Sequence, residues 1–258
     1  MFKAISSYVL AGAVVFGVAD TAFAQRQSPA FGVSRDTAPQ TINFTIGGFF
    51  PRGEESRVDG DVLVVNCDRV GGECSFLDFD TEGFSGVTFG GEYLFPIGNY
   101  IEAGAGLSWY KKTVPSRYAQ LVADDPNTPE IEEEDIRQDL KLQIVPLAFT
   151  VRVLPLGQTN PIQPYVGAGL GVFLWKYEES GEFVDGNNDV FRDTFEDSGS
   201  KVGPVILAGV RFAADSFTVG GEFRWQRGDA ELDPEQFFAP SVDLGGYTLQ
   251  ATFGLRFD

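Results

Sequence analysis

The chain has 258 residues, a formal net charge of −18 and no histidine. Such acidity excludes nucleic-acid binding by phosphate neutralisation. The missing histidine removes the commonest general base, and two cysteines without histidine make a poor zinc site. No cofactor is expected. Glycine (31) and phenylalanine (24) are abundant, and both suit strands better than helices.

In chain order, Met1-Phe2-Lys3 is a short basic start. Ala4 to Val18 is mostly apolar, and Ala22-Phe23-Ala24 fits a small-x-small cleavage site before Gln25. Residues 1–24 therefore read as a signal peptide that directs export. The removed piece carries Lys3 and Asp20, which cancel in charge. Residues 25–39 are polar, include Pro29 and Pro39, and read as a flexible periplasmic leader. Residues 40–258 form the remaining domain, a β-barrel.

Eight strands with period-two hydrophobicity follow, at about 40–50, 83–95, 99–113, 139–153, 163–177, 200–213, 216–227 and 246–257. The connection after the first strand carries Cys67 and Cys74 in the segment CDRVGGEC. In an oxidising compartment they are expected to form an intra-loop disulfide. The third strand sets Ile101, Ala103, Ala105, Leu107 and Trp109 against Glu102, Gly104, Gly106 and Ser108. The fourth breaks the pattern, because Leu140, Leu142 and Ile144 have one parity and Val145, Leu147, Phe149 and Val151 the other. A bulge near Val145-Pro146 would restore a single apolar face. The last strand is the clearest, with Tyr247, Leu249, Ala251, Phe253, Leu255 and Phe257 on one face.

The polar faces are rich in glycine with a few charges, which suits a narrow lumen better than a surface in water. The apolar faces then meet lipid, with an aromatic girdle of Tyr93, Phe95, Trp109, Trp175, Trp225 and Tyr247, and Phe253 and Phe257 facing lipid as well. Lipid satisfies no backbone hydrogen bonds, so the first strand must pair with the last. The fold class is all-β, an eight-stranded antiparallel up-and-down transmembrane β-barrel. Connections alternate short and long, which places short turns in the periplasm and long loops outside.

Parity points Glu92, Glu102, Arg152, Arg211, Glu222, Arg224 and Arg256 into the lumen. In so narrow a space opposite charges should pair and plug the barrel. Most of the 37 acidic residues fall in four connections, 51–82, 114–137, 178–198 and 228–244. Such loops repel like charge and could collect divalent cations that also bridge lipopolysaccharide phosphates. Within DGNNDVFRDTFE, Asp185, Asn187, Asp189, Asp193 and Glu196 have calcium-loop spacing, but Val190 stands where glycine is required. No metal is expected.

The stretch QPYVGAGLGVFLW (Gln163 to Trp175), the closing strand YTLQATFGLRF (Tyr247 to Phe257) and the turn-loop rhythm resemble the small outer-membrane β-barrel proteins, the OmpA/OmpX/OmpW-like group. The resemblance covers nearly all of residues 40–258. It implies location in the bacterial outer membrane, lipid and lipopolysaccharide as neighbours, and the barrel-assembly machinery as a partner during insertion. Barrels of this group usually end in an aromatic residue; here Phe257 is followed by Asp258. Enzymes of the group rely on histidine, so no enzymatic activity is expected. The expected role is envelope-structural or surface-interacting, with an OmpW-like narrow channel for small or hydrophobic solutes as the alternative.

Overall fold

A computed structural model of the chain describes residues 39–52, 77–78, 81–118, 136–184, 190–237 and 241–257. The signal peptide, nearly all of the leader, and Cys67 and Cys74 lie outside the described residues. Eight strands form the wall: β1 (Gln40–Pro51), β3 (Gly86–Pro96), β4 (Ile101–Tyr118), β5 (Ile136–Val153), β6 (Ile162–Val184), β7 (Val190–Ala213), β8 (Phe217–Gln226) and β11 (Gly246–Phe257). Each pairs antiparallel with its sequence neighbour, and β1 pairs with β11 from Gln40↔Phe257 to Pro51↔Gly246. The ring is closed, as a sheet immersed in lipid must be.

The outward face is a belt of large apolar side chains. Phe44, Leu170, Leu249 and Phe253 are 56%, 60%, 62% and 47% exposed. Water would not tolerate so continuous an apolar surface, and an acyl-chain environment requires it. Inward positions hold buried polar groups such as Thr41, Asn43, Thr150, Thr252 and Gln250. The lipid-outside facing read from alternation is the one observed.

The three connections at one end are short. In the first, Gly98 has φ of 81°, and Ile97 N donates to Ile101 O at 2.8 Å. The turn after β5 leans on it, with Gln158 N donating to Asn99 O at 2.8 Å. Both ends of the barrel sequence lie on this side.

The opposite end is uneven. β1, β3, β8 and β11 have 10 to 12 residues, about what a membrane crossing needs. β6 and β7 have 23 and 24 and stay paired to Val184↔Val190. Residues 178–198, expected as a long loop, are therefore mostly a hairpin that rises above the membrane. Hydrophobic alternation fades there because both faces meet water, while the ladder continues. Cross-strand charges support it: Lys176–Glu196 at 2.7 Å, Lys141–Glu178 at 2.9 Å and Arg192–Glu182 at 2.6 Å.

The expected bulge at Val145-Pro146 does not occur. β5 holds one register against β6 from Gln138↔Gly181 to Val153↔Val166. Against β4 the pairs stop at Leu107↔Leu147 and resume at Tyr110↔Ile144 without a shift. Pro146, which lacks an N–H, interrupts the ladder and does not offset it. Leu140, Leu142 and Ile144 therefore stay on the inward face, and all three are buried.

Smaller elements stand at the open end. β2 (Leu77–Asp78) pairs with the top of β4, and a 3-10 turn (Thr81–Phe84) precedes β3. Between β8 and β11, β9 (Asp229–Glu231) and β10 (Ser241–Asp243) form a two-stranded strap.

Candidate functional site: a lumen in two storeys

The inner storey, nearer the short turns, is an ion cluster. Arg152 is its centre, with its side chain 1% exposed. Its Nη2 bonds Glu92 Oε2 and lies 2.9 Å from Glu222 Oε2; its Nη1 is 3.9 Å from Glu102 Oε1. Arg211 forks onto Glu102 with bonds of 3.1 and 2.7 Å, the bidentate geometry that favours arginine. Arg224 donates to Glu222 Oε1 at 2.9 Å and stands 3.6 Å from Glu92. Three carboxylates meet three guanidiniums, so the formal charges cancel.

Neutral groups complete it. The Tyr165 hydroxyl donates to Glu222 at 3.1 Å, and its ring lies 4.8 Å beneath the Arg152 guanidinium. Gln250 donates to Glu222 at 2.9 Å, and Gln163 accepts from Arg211 Nε at 2.8 Å. The inward glycines make this packing fit. A Cβ on Gly209 would come 2.5 Å from the Tyr165 hydroxyl, and one on Gly104 would come 3.0 Å from Glu92 Oε1.

The outer storey is apolar. Phe49, Tyr110, Leu142, Ile144, Phe173, Trp175, Tyr177 and Val205 project inward and pack with Ala230, Leu232, Phe237 and Leu244 of the strap region. Phe49 meets Tyr110 edge-on at 4.8 Å. Between the storeys a void of about 10 Å³ is lined by Tyr110, Ile144, Pro146, Arg224, Gln226 and Gln250. That volume is on the order of one water.

Six of the seven sequence-predicted lumen charges meet in the inner storey. Arg256 does not: it sits at the rim and donates to Ala214 O at 2.6 Å, beside the turn between β7 and β8. Trp175 also departs from expectation. It points into the lumen and is 7% exposed, because β6 keeps one parity and the odd residues from Gln163 to Tyr177 face inward. The other aromatic positions, Tyr93, Phe95, Trp109, Trp225, Tyr247, Phe253 and Phe257, take the outward face. Of the calcium-loop residues, Asp185, Asn187 and Asp189 lie outside the described residues. Asp193 and Glu196 are on the extended strand β7, which cannot curl round a cation, and Glu196 is engaged by Lys176.

Tyr165, Gln163 and Gln250 were missed by charge-based reading. Inward parity among glycines was the signal available for Tyr165. The apolar storey was missed too, although the double apolar parity of the fourth strand announced it.

Outside the membrane, Arg192 and the Arg137 N–H hold the Glu182 carboxyl below its ordinary value. Burial pushes the Asp243 carboxyl up, against the hydrogen bond from Gly245 N, and neighbouring Asp229 adds to the rise.

No family model matches the sequence, and no curated protein matches it. Solved structures do resemble the fold at low identity. Neisserial surface protein A is 11% identical with a TM-score of 0.43, covering 85% of this chain and 97% of that one. The N-terminal β-barrel domain of Pseudomonas aeruginosa OprF is 12% identical with a TM-score of 0.35, covering 84% and 97%. The Escherichia coli outer membrane protease OmpT is 10% identical with a TM-score of 0.42, covering 86% and 98%. That last match corrects one expectation. That protein is a protease, so a barrel fold does not exclude catalysis, and the lack of histidine does not establish that activity is absent. The location follows from the barrel itself: closed, antiparallel, apolar outside and polar at its inner storey, it is an integral barrel of the bacterial outer membrane.

Proposed function

We propose that this integral outer-membrane barrel keeps its lumen shut and acts at the cell surface, through its tall β4–β7 wall and acidic outer loops. Its role is then envelope-structural and surface-interacting, with outer-membrane lipid and lipopolysaccharide around it and the barrel-assembly machinery as its partner during insertion. Divalent cations are natural counter-ions for the acidic loops. The observation that carries this reading is the double closure of the lumen. A neutral, hydrogen-bonded ion cluster fills one half, and packed apolar side chains fill the other. An ion moving along the axis would have to part Arg152 from its carboxylates and then cross an apolar layer.

The alternative is an OmpW-like channel for small or hydrophobic solutes, and the apolar outer storey is the feature that favours it. Planar-bilayer recording separates the two. A silent, correctly folded barrel supports closure. Discrete openings in the unmodified protein refute closure and favour the channel.

A further inference from the structure

The basic side chains of this acidic chain are not spread evenly. After Lys3 the lysines are Lys111, Lys112, Lys141, Lys176 and Lys201, and all of them lie on the exterior-facing parts of β4 to β7. Their positions follow the edge of the lipid belt. On the outward face the belt ends at Phe50 on β1, Trp109 on β4, Leu174 on β6 and Trp225 on β8. Two residues farther out stand Arg52, Lys111, Lys176 and Arg227. Successive side chains alternate across a strand, so each of these cations has the outward parity of the belt residue below it. The ladder extends far enough to hold Arg52 and Arg227 in that parity, because Arg52 N donates to Gly245 O and Arg227 N to Pro204 O, each at 3.2 Å. On β5 the belt ends at Val145, and Lys141 follows on the same face beyond Gln143.

These cations are free to act on a partner. Among the described residues, Arg52, Lys111 and Arg227 have no carboxylate within ion-pair distance, although the charges of Arg52 and Arg227 reach Asp243. Lys176 is paired with Glu196 and Lys141 with Glu178, yet their side chains keep 38% and 28% exposure. An ammonium has three donors, so one carboxylate does not saturate it. The turn end of the barrel is different. Its outward positions include Ile101, Val153, Ile162, Phe212 and Phe257, no lysine lies there among the described residues, and Arg256 is turned to Ala214 O. A chain of net charge −18 repels anions at long range. Cations gathered at one level therefore serve contacts within the screening length, about 8 Å at physiological salt.

We propose that Arg52, Lys111, Lys176 and Arg227, with Lys141 one step farther out, form a collar that binds the phosphates of outer-leaflet lipopolysaccharide directly, without a bridging metal ion. The ligand class follows from position and charge together. A group bound here must be anionic to meet the collar, and it must carry acyl chains to lie on the belt immediately below. Guanidinium forks match phosphate bidentately, and ammonium groups meet it as point charges. Aromatic residues at the belt edge mark the same level as the membrane–water interface. This inference deepens the reading that lipopolysaccharide surrounds the barrel and rests on that part of it, not on closure of the lumen.

The test uses the full chain refolded in dodecylphosphocholine micelles and titrated with diphosphoryl lipid A. Emission of Trp109 and Trp225, each two residues from a collar cation, is the readout. A saturable change that persists in EDTA is expected, and lipid A stripped of its phosphates should not produce it. Each basic side chain near an anionic lipid surface strengthens binding about fivefold. Lys111→Gln with Arg227→Gln should therefore raise the midpoint about 25-fold. Arg137→Gln with Arg192→Gln removes the same charge from exposed positions farther from the belt and should leave the midpoint in place. Lys111→Gln with Lys176→Gln replaces the first pair if that pair fails a heat-modifiable gel-shift check of folding. An unchanged midpoint in the collar variant, or an equal rise in the Arg137 and Arg192 variant, overturns the proposal. So does loss of binding in EDTA, which assigns the contact to bridged carboxylates. These outcomes leave lipopolysaccharide as a neighbour, whereas no saturable change in the unmodified protein overturns both readings. Conductance of the same proteins in planar bilayers reads closure separately.

Discussion

The two storeys of the lumen obey one alternation rule and reach opposite chemistry. On β5 the inward side chains change from Arg152 and Thr150 to Ile144, Leu142 and Leu140 within a single unbroken register. Inward therefore has no fixed polarity in this barrel. In the inner storey, glycines open space and charges must satisfy one another. In the outer storey, the wall rises past the membrane and a strap covers it, so an apolar core like that of a soluble protein forms inside the mouth. The lower storey depends on pairing, and the upper on volume.

That contrast can be broken from either side. The largest effect is expected for Arg152→Met, which leaves Glu92, Glu102 and Glu222 short of their shared partner. Removing one member of a buried ion network costs about 3–5 kcal/mol, read as a lowered urea midpoint for the barrel in micelles. High salt should restore little of it, since buried pairs are poorly screened. In the upper storey, Phe173→Ala should cost about 3–5 kcal/mol as transfer and cavity terms combine. There Phe173→Leu should recover much of the loss, whereas Arg152→Lys in the lower storey should not, because lysine lacks the guanidinium fork. Equal rescue by both conservative variants would remove the distinction between the storeys.

A smaller loss tests the belt on which both storeys depend. Phe253→Lys should cost about 2–4 kcal/mol if the side chain lies near the bilayer midplane, read from folding into lipid vesicles. Unchanged folding would contradict the lipid-facing placement. The smallest effects lie at the open end. Asp243 has a raised carboxyl pKa, so its contribution to strap docking is full below the ordinary aspartate value and is lost as pH rises through the raised one. Proteolysis at the strap should slow on acidification across that window, and Asp243→Asn should flatten the response. Glu182 behaves oppositely: its pairing with Arg192 persists above the ordinary glutamate value and is lost as pH falls through the lowered one. Amide exchange near the hairpin tip should quicken in acid and cease to do so in Glu182→Gln.

Much of this was legible in the sequence because lipid imposes strict alternation. The eight strands, the short turns and the inward set of Glu92, Glu102, Arg152, Arg211, Glu222 and Arg224 follow from parity alone. Parity fails where lipid no longer enforces it. Above the membrane, Glu178 to Ser198 alternates without hydrophobic contrast, so a paired hairpin resembles a loop. Aromatics near strand ends favour interfaces, so Trp175 reads as part of the girdle, yet the parity of β6 turns it inward. Two apolar parities on either side of Pro146 suggest a bulge. In fact both faces are apolar there, one against lipid and one against the strap. Arg256 has the inward parity but lies too near the rim to reach the cluster.

The seam between β1 and β11 joins the two extremities of the barrel sequence, Gln40 to Phe257. No portion lacking β1 or β11 can complete the ring, so the last strand must be made and exported before the cylinder can exist. Until then β1 and β11 each expose an unpaired edge. Assembly is accordingly a late, highly non-local event, slow by the general dependence of folding rate on contact distance along the chain.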